Sequence, residues 1–210
     1  MDKAIKSNFK PDVFLRGQRD YVQGTQLIAQ AAKCLAAPDK LVFEQGTFST
    51  ITRNDVIFSL ERGESSIGSV QFKGQDHRIT LFVQEDKSIA RREDTPLSLE
   101  LIKTEPTEAD AVVYKYTADK DFLGILDVIV QSIKAEHVAQ FETAYDIWFT
   151  GLRRCNLPVS VKTAGQGSVT LKLMRKMGAI DNSQTLWSVE LEDTDGTQLS
   201  CNVTFVFKSK

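Results

Sequence analysis

The sequence predicts an α+β protein made of two similar units, each an antiparallel sheet wrapped around a central helix. Three observations predict it. Segments of the first half recur in the second at an offset near 101 residues, and a repeat of fixed period sets architecture before local propensity does. One helix-like segment, Phe122 to Ile133, is apolar almost all the way round, as a helix enclosed on every side must be. Most of the remaining chain alternates apolar and polar residues with the period of strands.

Each half shows the same order of elements. A short strand, Val13 to Leu15, precedes a helix that begins at Asp20, carries Gln23 three positions on as in a capping box, and ends before Pro38. Strands follow at Val56 to Leu60, Ser69 to Phe72 and Ile79 to Val83. The second half opens with a strand at Val112 to Tyr116 and a helix from Asp121 to Lys134. It continues with strands at Val169 to Leu173, Trp187 to Leu191 and Val203 to Phe207, with Asp195-Gly196 marking a tight hairpin between the last two. In the helices, Asp20 corresponds to Asp121, Leu27-Ile28 to Val128-Ile129, Gln30 to Gln131 and Lys33 to Lys134. Downstream, Val42-Phe43 and Gly46 match Ile147-Trp148 and Gly151, and Gly68-Ser69-Val70 matches Gly167-Ser168-Val169. The alternate leucines Leu97, Leu99 and Leu101 before Lys103 match Asn202, Thr204 and Val206 before Lys208. The expected domains are therefore residues 1–105 and 106–210.

Composition narrows the function. With 26 Lys and Arg against 28 Asp and Glu, the chain has no basic field to neutralise phosphates, so nucleic acid is not an expected partner. No stretch approaches the roughly 20 apolar residues that span a bilayer, and the opening Met1 to Asp12 has no apolar secretion core. A cytoplasmic protein without membrane partners is expected. Cys34, Cys155 and Cys201 are odd in number and far apart, which fits reduced thiols. With only His77 and His137 as histidines, neither a metal centre nor a resident cofactor is expected.

A strand, a buried central helix and a wrapping meander in about 100 residues resembles the hotdog fold, and the repeat resembles a double-hotdog chain. Gly24-Thr-Gln-Leu-Ile-Ala-Gln-Ala-Ala32 is similar to the run that opens the central helix in dehydratase-type members. The resemblance implies action on acyl thioesters of coenzyme A or acyl carrier protein, at the junction of two units, with a helix N-terminus stabilising the developing oxyanion. It also implies association of two copies through sheet edges, hence a homodimer. Dehydratase-type members carry a His just before the helix. Here Arg19-Asp20 and Lys120-Asp121 stand in those places, which argues against a dehydratase.

Asp127 is the leading catalytic candidate. It is a carboxylate on an otherwise apolar helix, where burial favours a general base, and thioesterase-type members place an acid on this helix. His77, in a turn-like segment, and Asp20, at a helix start, are the other catalytic candidates, each with a plain structural reading as loop residue and N-cap. Arg153, Arg154 and Lys172 are candidates for a coenzyme A phosphate or an acidic carrier surface. His137 reads as a solvated residue in the trailing turn of the second helix. The expected function is thioesterase-like or acyl-transfer chemistry; the alternative is a non-catalytic acyl-ligand binding or scaffold protein of the same fold.

Overall fold

Alternation of apolar and polar side chains commits each strand to one inner and one outer face, and the elements assemble accordingly. The computed structural model describes residues 9–16, 21–35, 38–93, 97–105, 110–141, 145–178 and 183–209. The chain divides into two units, Met1–Leu97 with Leu157–Ser160, and Ser98–Asn156 with Val161–Lys210.

In unit 1, β1 (Phe14–Arg16) precedes α1 (Gly24–Lys33) and a 3-10 turn at Pro38–Lys40, followed by β2 (Val42–Phe48), β3 (Asn54–Ser59), β4 (Ser66–Lys73), β5 (Arg78–Ile89) and β6 (Arg91–Glu93). The antiparallel sheet has the order β3-β5-β4-β2, while β1 pairs in parallel with β6. Phe43, Phe58, Val70, Phe72, Leu81 and Val83 form its buried face.

Unit 2 comprises β7 (Leu99–Thr104), β8 (Ala111–Ala118), α2 (Phe122–Phe141), β9 (Tyr145–Arg153), β11 (Gln166–Met177), β12 (Gln184–Asp193) and β13 (Gln198–Ser209). The intervening β10 (Leu157–Pro158) returns to unit 1 and pairs with β2. Within unit 2 the sheet runs β9-β13-β12-β11-β8-β7. Helix α2 packs against β7, β8, β9, β11 and β12, so the wrapping expected from its composition is the arrangement found. Trp187, Phe205, Phe207 and Leu126 are each at most 2% exposed.

Four features differ from the sequence reading. Helix α1 starts at Gly24, with Gln23 in the N-cap position and no side-chain cap bond, rather than at Asp20 in a capping box. The Val22 N–H donates to the Thr52 carbonyl at 2.8 Å, which holds the chain extended up to Gln23; Asp20 lies outside the described residues. Helix α2 continues to Phe141, and its trailing turns bury Glu136 and His137 where a solvated end was expected. Strand β7 pairs with β8, with Leu101 opposite Tyr116, and so belongs to unit 2 although it precedes the expected boundary at 105. The sheet orders also differ. Strand β4 lies beside β2, whereas β11, which the repeat aligns with it, is separated from β9 by β12 and β13. Each unit has a strand, helix and strand in the same chain order, β1-α1-β2 and β8-α2-β9, but β1 pairs with β6 in a separate two-stranded sheet whereas β8 lies between β11 and β7, and the meanders differ in order.

Helix α2 begins as expected. The Asp121 carboxylate accepts the Gly124 N–H at 2.8 Å, satisfying a donor that the helix itself cannot pair. At Gly124 a Cβ would lie 2.1 Å from the Asp119 carbonyl oxygen, so the chain can close over this end only with glycine there. Asp121→Ala is expected to lower stability by about 1 kcal/mol, and Leu126→Ala, which empties a fully buried site, by about 2–5 kcal/mol. Urea unfolding followed by circular dichroism should rank the two in that order.

Candidate active site

Residues three and four apart on a helix share a face, and exposure along α2 follows that rule. Leu123, Gln131 and Lys134 are half-buried and Val138 is exposed, whereas the residues opposite them are enclosed. Asp127 belongs to the same stripe as these four. It is itself enclosed, at 3% exposed. The helix is thus apolar on most of its circumference rather than all of it.

On the opposite face, Glu136 is 2% exposed and fully engaged. Its Oε1 accepts from the Lys103 ammonium and the Tyr114 hydroxyl, both at 2.6 Å, and its Oε2 accepts from the Gln140 amide at 3.2 Å. Burial pushes its carboxyl up, but the Lys103 and Tyr114 hydrogen bonds outweigh that and hold it below the ordinary value. Burial, reinforced by Glu136, pushes the Tyr114 hydroxyl above its ordinary range. Sequence reasoning missed this group because Lys103 and Tyr114 come from separate strands.

His137 is fully enclosed, not solvated as expected. Its Nε2 accepts from the Trp187 indole N–H at 3.0 Å and lies 3.1 Å from the Thr185 hydroxyl. An indole N–H only donates, so Nε2 carries the lone pair and the ring is the neutral Nδ1–H tautomer. Trp187, Phe205 and Phe207 meet the ring edge-on, with centroids at 5.4, 5.0 and 4.7 Å. Burial lowers its pKa to about 3, assisted by Lys134. A histidine whose basic nitrogen is already engaged by a buried donor is a core residue, not a proton acceptor for substrate.

A third buried acid, Asp193, organises the start of β11. It accepts from the Tyr116 hydroxyl at 2.9 Å and from the backbone N–H groups of Ala164 and Gly165 at 3.0 and 3.2 Å. Burial pushes its carboxyl up, yet the Tyr116 and backbone hydrogen bonds prevail and lower it.

His77 is exposed in the turn joining β4 to β5, where its carbonyl accepts the Gly74 N–H at 2.8 Å. Arg153, Arg154 and Lys172 are all exposed. Register sets Arg153 opposite Asn202, Asn202 opposite Ser188 and Ser188 opposite Lys172. Directly paired residues point to one side, so Arg153 and Lys172 share the outer face of the sheet, three strands or about 14 Å apart, with the sheet between them and α2. Arg154 adopts a left-handed backbone with φ of 56°. The structure therefore does not bring the basic candidates to the side of the sheet that carries Asp127. A shallow groove of about 640 Å³ is lined by Glu100, Ile102, Lys115, Ser168, Glu192 and Asp193 among others, and Asp127 is not part of it.

The two helix N-termini are unlike. That of α2 carries the Asp121 carboxylate. That of α1 has no side-chain cap and no acid in its first turn, and Gln23, at the cap position, is 6% exposed. Among the described residues, no group of three or more His, Cys, Asp or Glu is arranged to hold a metal ion, and no helix is long and apolar enough to cross a membrane.

Solved structures share this architecture. An acyl-CoA thioesterase II of Mycobacterium marinum superposes with a TM-score of 0.54 at 11% identity, covering 89% of each chain. The dehydratase domain from the CurJ module of the curacin polyketide synthase gives 0.53 at 12% identity, covering 95% of this chain and 86% of that one. A hot dog fold protein of Alicyclobacillus acidocaldarius gives 0.50 at 11% identity, covering 91% and 88%. No protein-family profile and no curated protein sequence matches the chain.

The buried imidazole makes stability pH-dependent in a definite direction. His137 has an ordinary pKa of 6.5 and a folded value of about 3, so the folded state excludes a proton that the unfolded chain binds. Its contribution is complete above pH 6.5 and is lost as the pH falls from there toward 3. His137→Gln is expected to be destabilised at pH 7 but to lose less stability than wild type between pH 6.5 and 4, as read from urea midpoints along a pH series.

Proposed function

We propose that this hotdog-fold chain hydrolyses acyl thioesters of coenzyme A or acyl carrier protein, with Asp127 as the base that activates water. The observation that carries the reading is Asp127, a carboxylate buried at 3% exposure on an otherwise largely apolar, strand-wrapped helix. In the proposed step Asp127 takes a proton from water as the water oxygen bonds to the thioester carbonyl carbon. Collapse of the tetrahedral intermediate then expels the thiolate, which takes up that proton, leaving a carboxylic acid and a free thiol.

One further observation supports this chemistry over dehydration. Both histidines lie elsewhere, His77 in an exposed turn and His137 in an aromatic enclosure with its basic nitrogen occupied, so the histidine that dehydratase-type members use has no counterpart before either helix. The named neighbours include an acyl-CoA thioesterase II as well as a polyketide dehydratase. Arg153, Arg154 and Lys172 are assigned to the acidic surface of a carrier or to the phosphates of coenzyme A. Their exposure on the outer face suits a large anionic partner better than an enclosed one.

The engagement of Glu136 and of the His137 Nε2 by structural partners equally favours a binding protein that stores an acyl ligand, and turnover separates the two readings. Wild type incubated with butyryl-, octanoyl- and palmitoyl-CoA should release thiol, detected with a chromogenic disulfide, and Asp127→Asn should lower the rate about 100- to 10,000-fold. Unchanged turnover in the variant removes Asp127 from the mechanism. Saturable acyl-CoA binding without thiol release selects the storage reading.

A further inference from the structure

We propose that Cys155 and Cys201 form a redox site, closed to a disulfide by small disulfide oxidants such as oxidised glutathione and reopened by thiols. The two lie far apart in the chain but both belong to unit 2, and strand pairing brings them together. In the ladder of β9 and β13, Leu152 pairs with Val203 and Arg153 with Asn202. Leu152 and Val203 are fully buried and Arg153 is exposed, so the next step along the ladder faces the core again. Cys201 keeps that parity, at 6% exposed.

Regular pairing would set Arg154 opposite Cys201 and drive its guanidinium toward the core. The backbone avoids this. Arg154 takes the left-handed conformation, with φ of 56°, and is exposed, while Cys155 is enclosed at 9% exposed. A left-handed residue followed by an inward one is the pattern of a β-bulge, in which two residues of one strand oppose a single residue of the other. Cys155 therefore takes the place beside Cys201. Directly opposed residues have Cα atoms about 4.5–5.5 Å apart, within the roughly 4.4–6.8 Å that a disulfide bridges. The side chains agree. The two thiols are within hydrogen-bond reach of each other, and the Cys155 Sγ also lies 3.7 Å from the Arg153 carbonyl.

The Cys201 hydrogen bond and burial raise the Cys155 thiol above its ordinary range, so it reacts slowly as a thiol rather than fast as a thiolate. Proximity supplies what acidity does not. In the first step the Cys155 sulfur bonds to one sulfur of the oxidant, the oxidant's S–S bond breaks, and the Cys155 proton goes to the leaving thiolate. The Cys201 sulfur then attacks the Cys155 sulfur of the mixed disulfide and expels the second thiolate, which takes the Cys201 proton. Two electrons pass from the protein to the oxidant, one disulfide being consumed and one formed. The second step joins groups already in place, so closure outruns loss of the mixed disulfide. Cys34, the one cysteine of unit 1, instead donates its S–H to the Gln30 carbonyl at 3.0 Å, and burial pushes its thiol up to about 12. Closing the Cys155–Cys201 bond ties the end of β9 to β13 and encloses residues 156–200, which include β10, β11 and β12. A loop so closed restricts the unfolded chain and thereby stabilises the fold.

The test approaches equilibrium from two sides, with reduced protein and with protein unfolded in urea and refolded in oxidised glutathione. Each is held in glutathione buffers graded from reducing to oxidising, blocked with iodoacetamide and digested for mass spectrometry. In the oxidising buffers both should yield a cross-linked peptide pair containing Cys155 and Cys201, with Cys34 outside it, and in the reducing buffers neither should. Circular dichroism of the joined form should match that of the reduced form, and its urea midpoint should be higher. Cys34→Ser should keep the cross-link, whereas Cys155→Ser and Cys201→Ser should each abolish it. The wild-type peptide map decides even where a serine variant fails to fold. Absence of the cross-link from the reduced start overturns the proposal, as does a bond that includes Cys34 or a joined form with a lower urea midpoint than the reduced one.

Discussion

A helix enclosed by five strands has to satisfy or exclude every polar group it carries, and unit 2 is organised by that constraint. Most of α2 meets it by being apolar. Where it is not, the polar group recruits partners from distant strands: Lys103 from β7 and Tyr114 from β8 for Glu136, Thr185 and Trp187 from β12 for His137. Breaking such a network leaves a charge or a lone pair stranded in low dielectric, which costs more than the pairing itself contributes. These contacts pin the second half of α2 to its sheet, so the helix cannot slide without leaving Glu136 unpaired. Asp127, lying on the other face, is held in place by that anchoring.

Much of this was legible in the sequence. Period-2 runs located the core of β3, β4, β5, β11, β12 and β13, because alternation is what a sheet with one buried face requires. The apolar run from Phe122 predicted the wrapped helix, and Asp121 predicted its cap. What could not be read was set by contacts across long separations. Nothing local announces that Val22 will hydrogen-bond Thr52 and delay α1 to Gly24, or that an indole from β12 will hold His137 neutral. The repeat marked the chain order strand, helix, strand that both units have. It misled in the meander, where Gly-Ser-Val recurs in β4 and β11 at different places in the sheet order. Sheet order depends on which edges meet, and short strands of similar composition leave that open.

The candidate site divides in the same way. Asp127 could be singled out because a lone acid in an apolar helix is conspicuous in one dimension. The basic residues failed to converge for a geometric reason: Arg153 and Lys172 fall in one row of the sheet on its outer face, and strand parity, which linear proximity to the helix does not reveal, puts the sheet between them and α2.

The contrast between the helix starts follows from the same electrostatics that stabilises them. A carboxylate at an N-terminus pairs orphan N–H groups and complements the dipole, so Asp121 strengthens α2. That stabilisation removes the end from use, because donors already bound to an anion have little left to offer a second one. Helix α1 has no side-chain cap, and its first turn is held instead by burial of Thr25, Gln26, Leu27 and Ile28 and by the Val22 tie to the backbone at Thr52. A helix end that stays polar, buried and uncapped at once is costly for folding alone, since the desolvated amide of Gln23 gains nothing there.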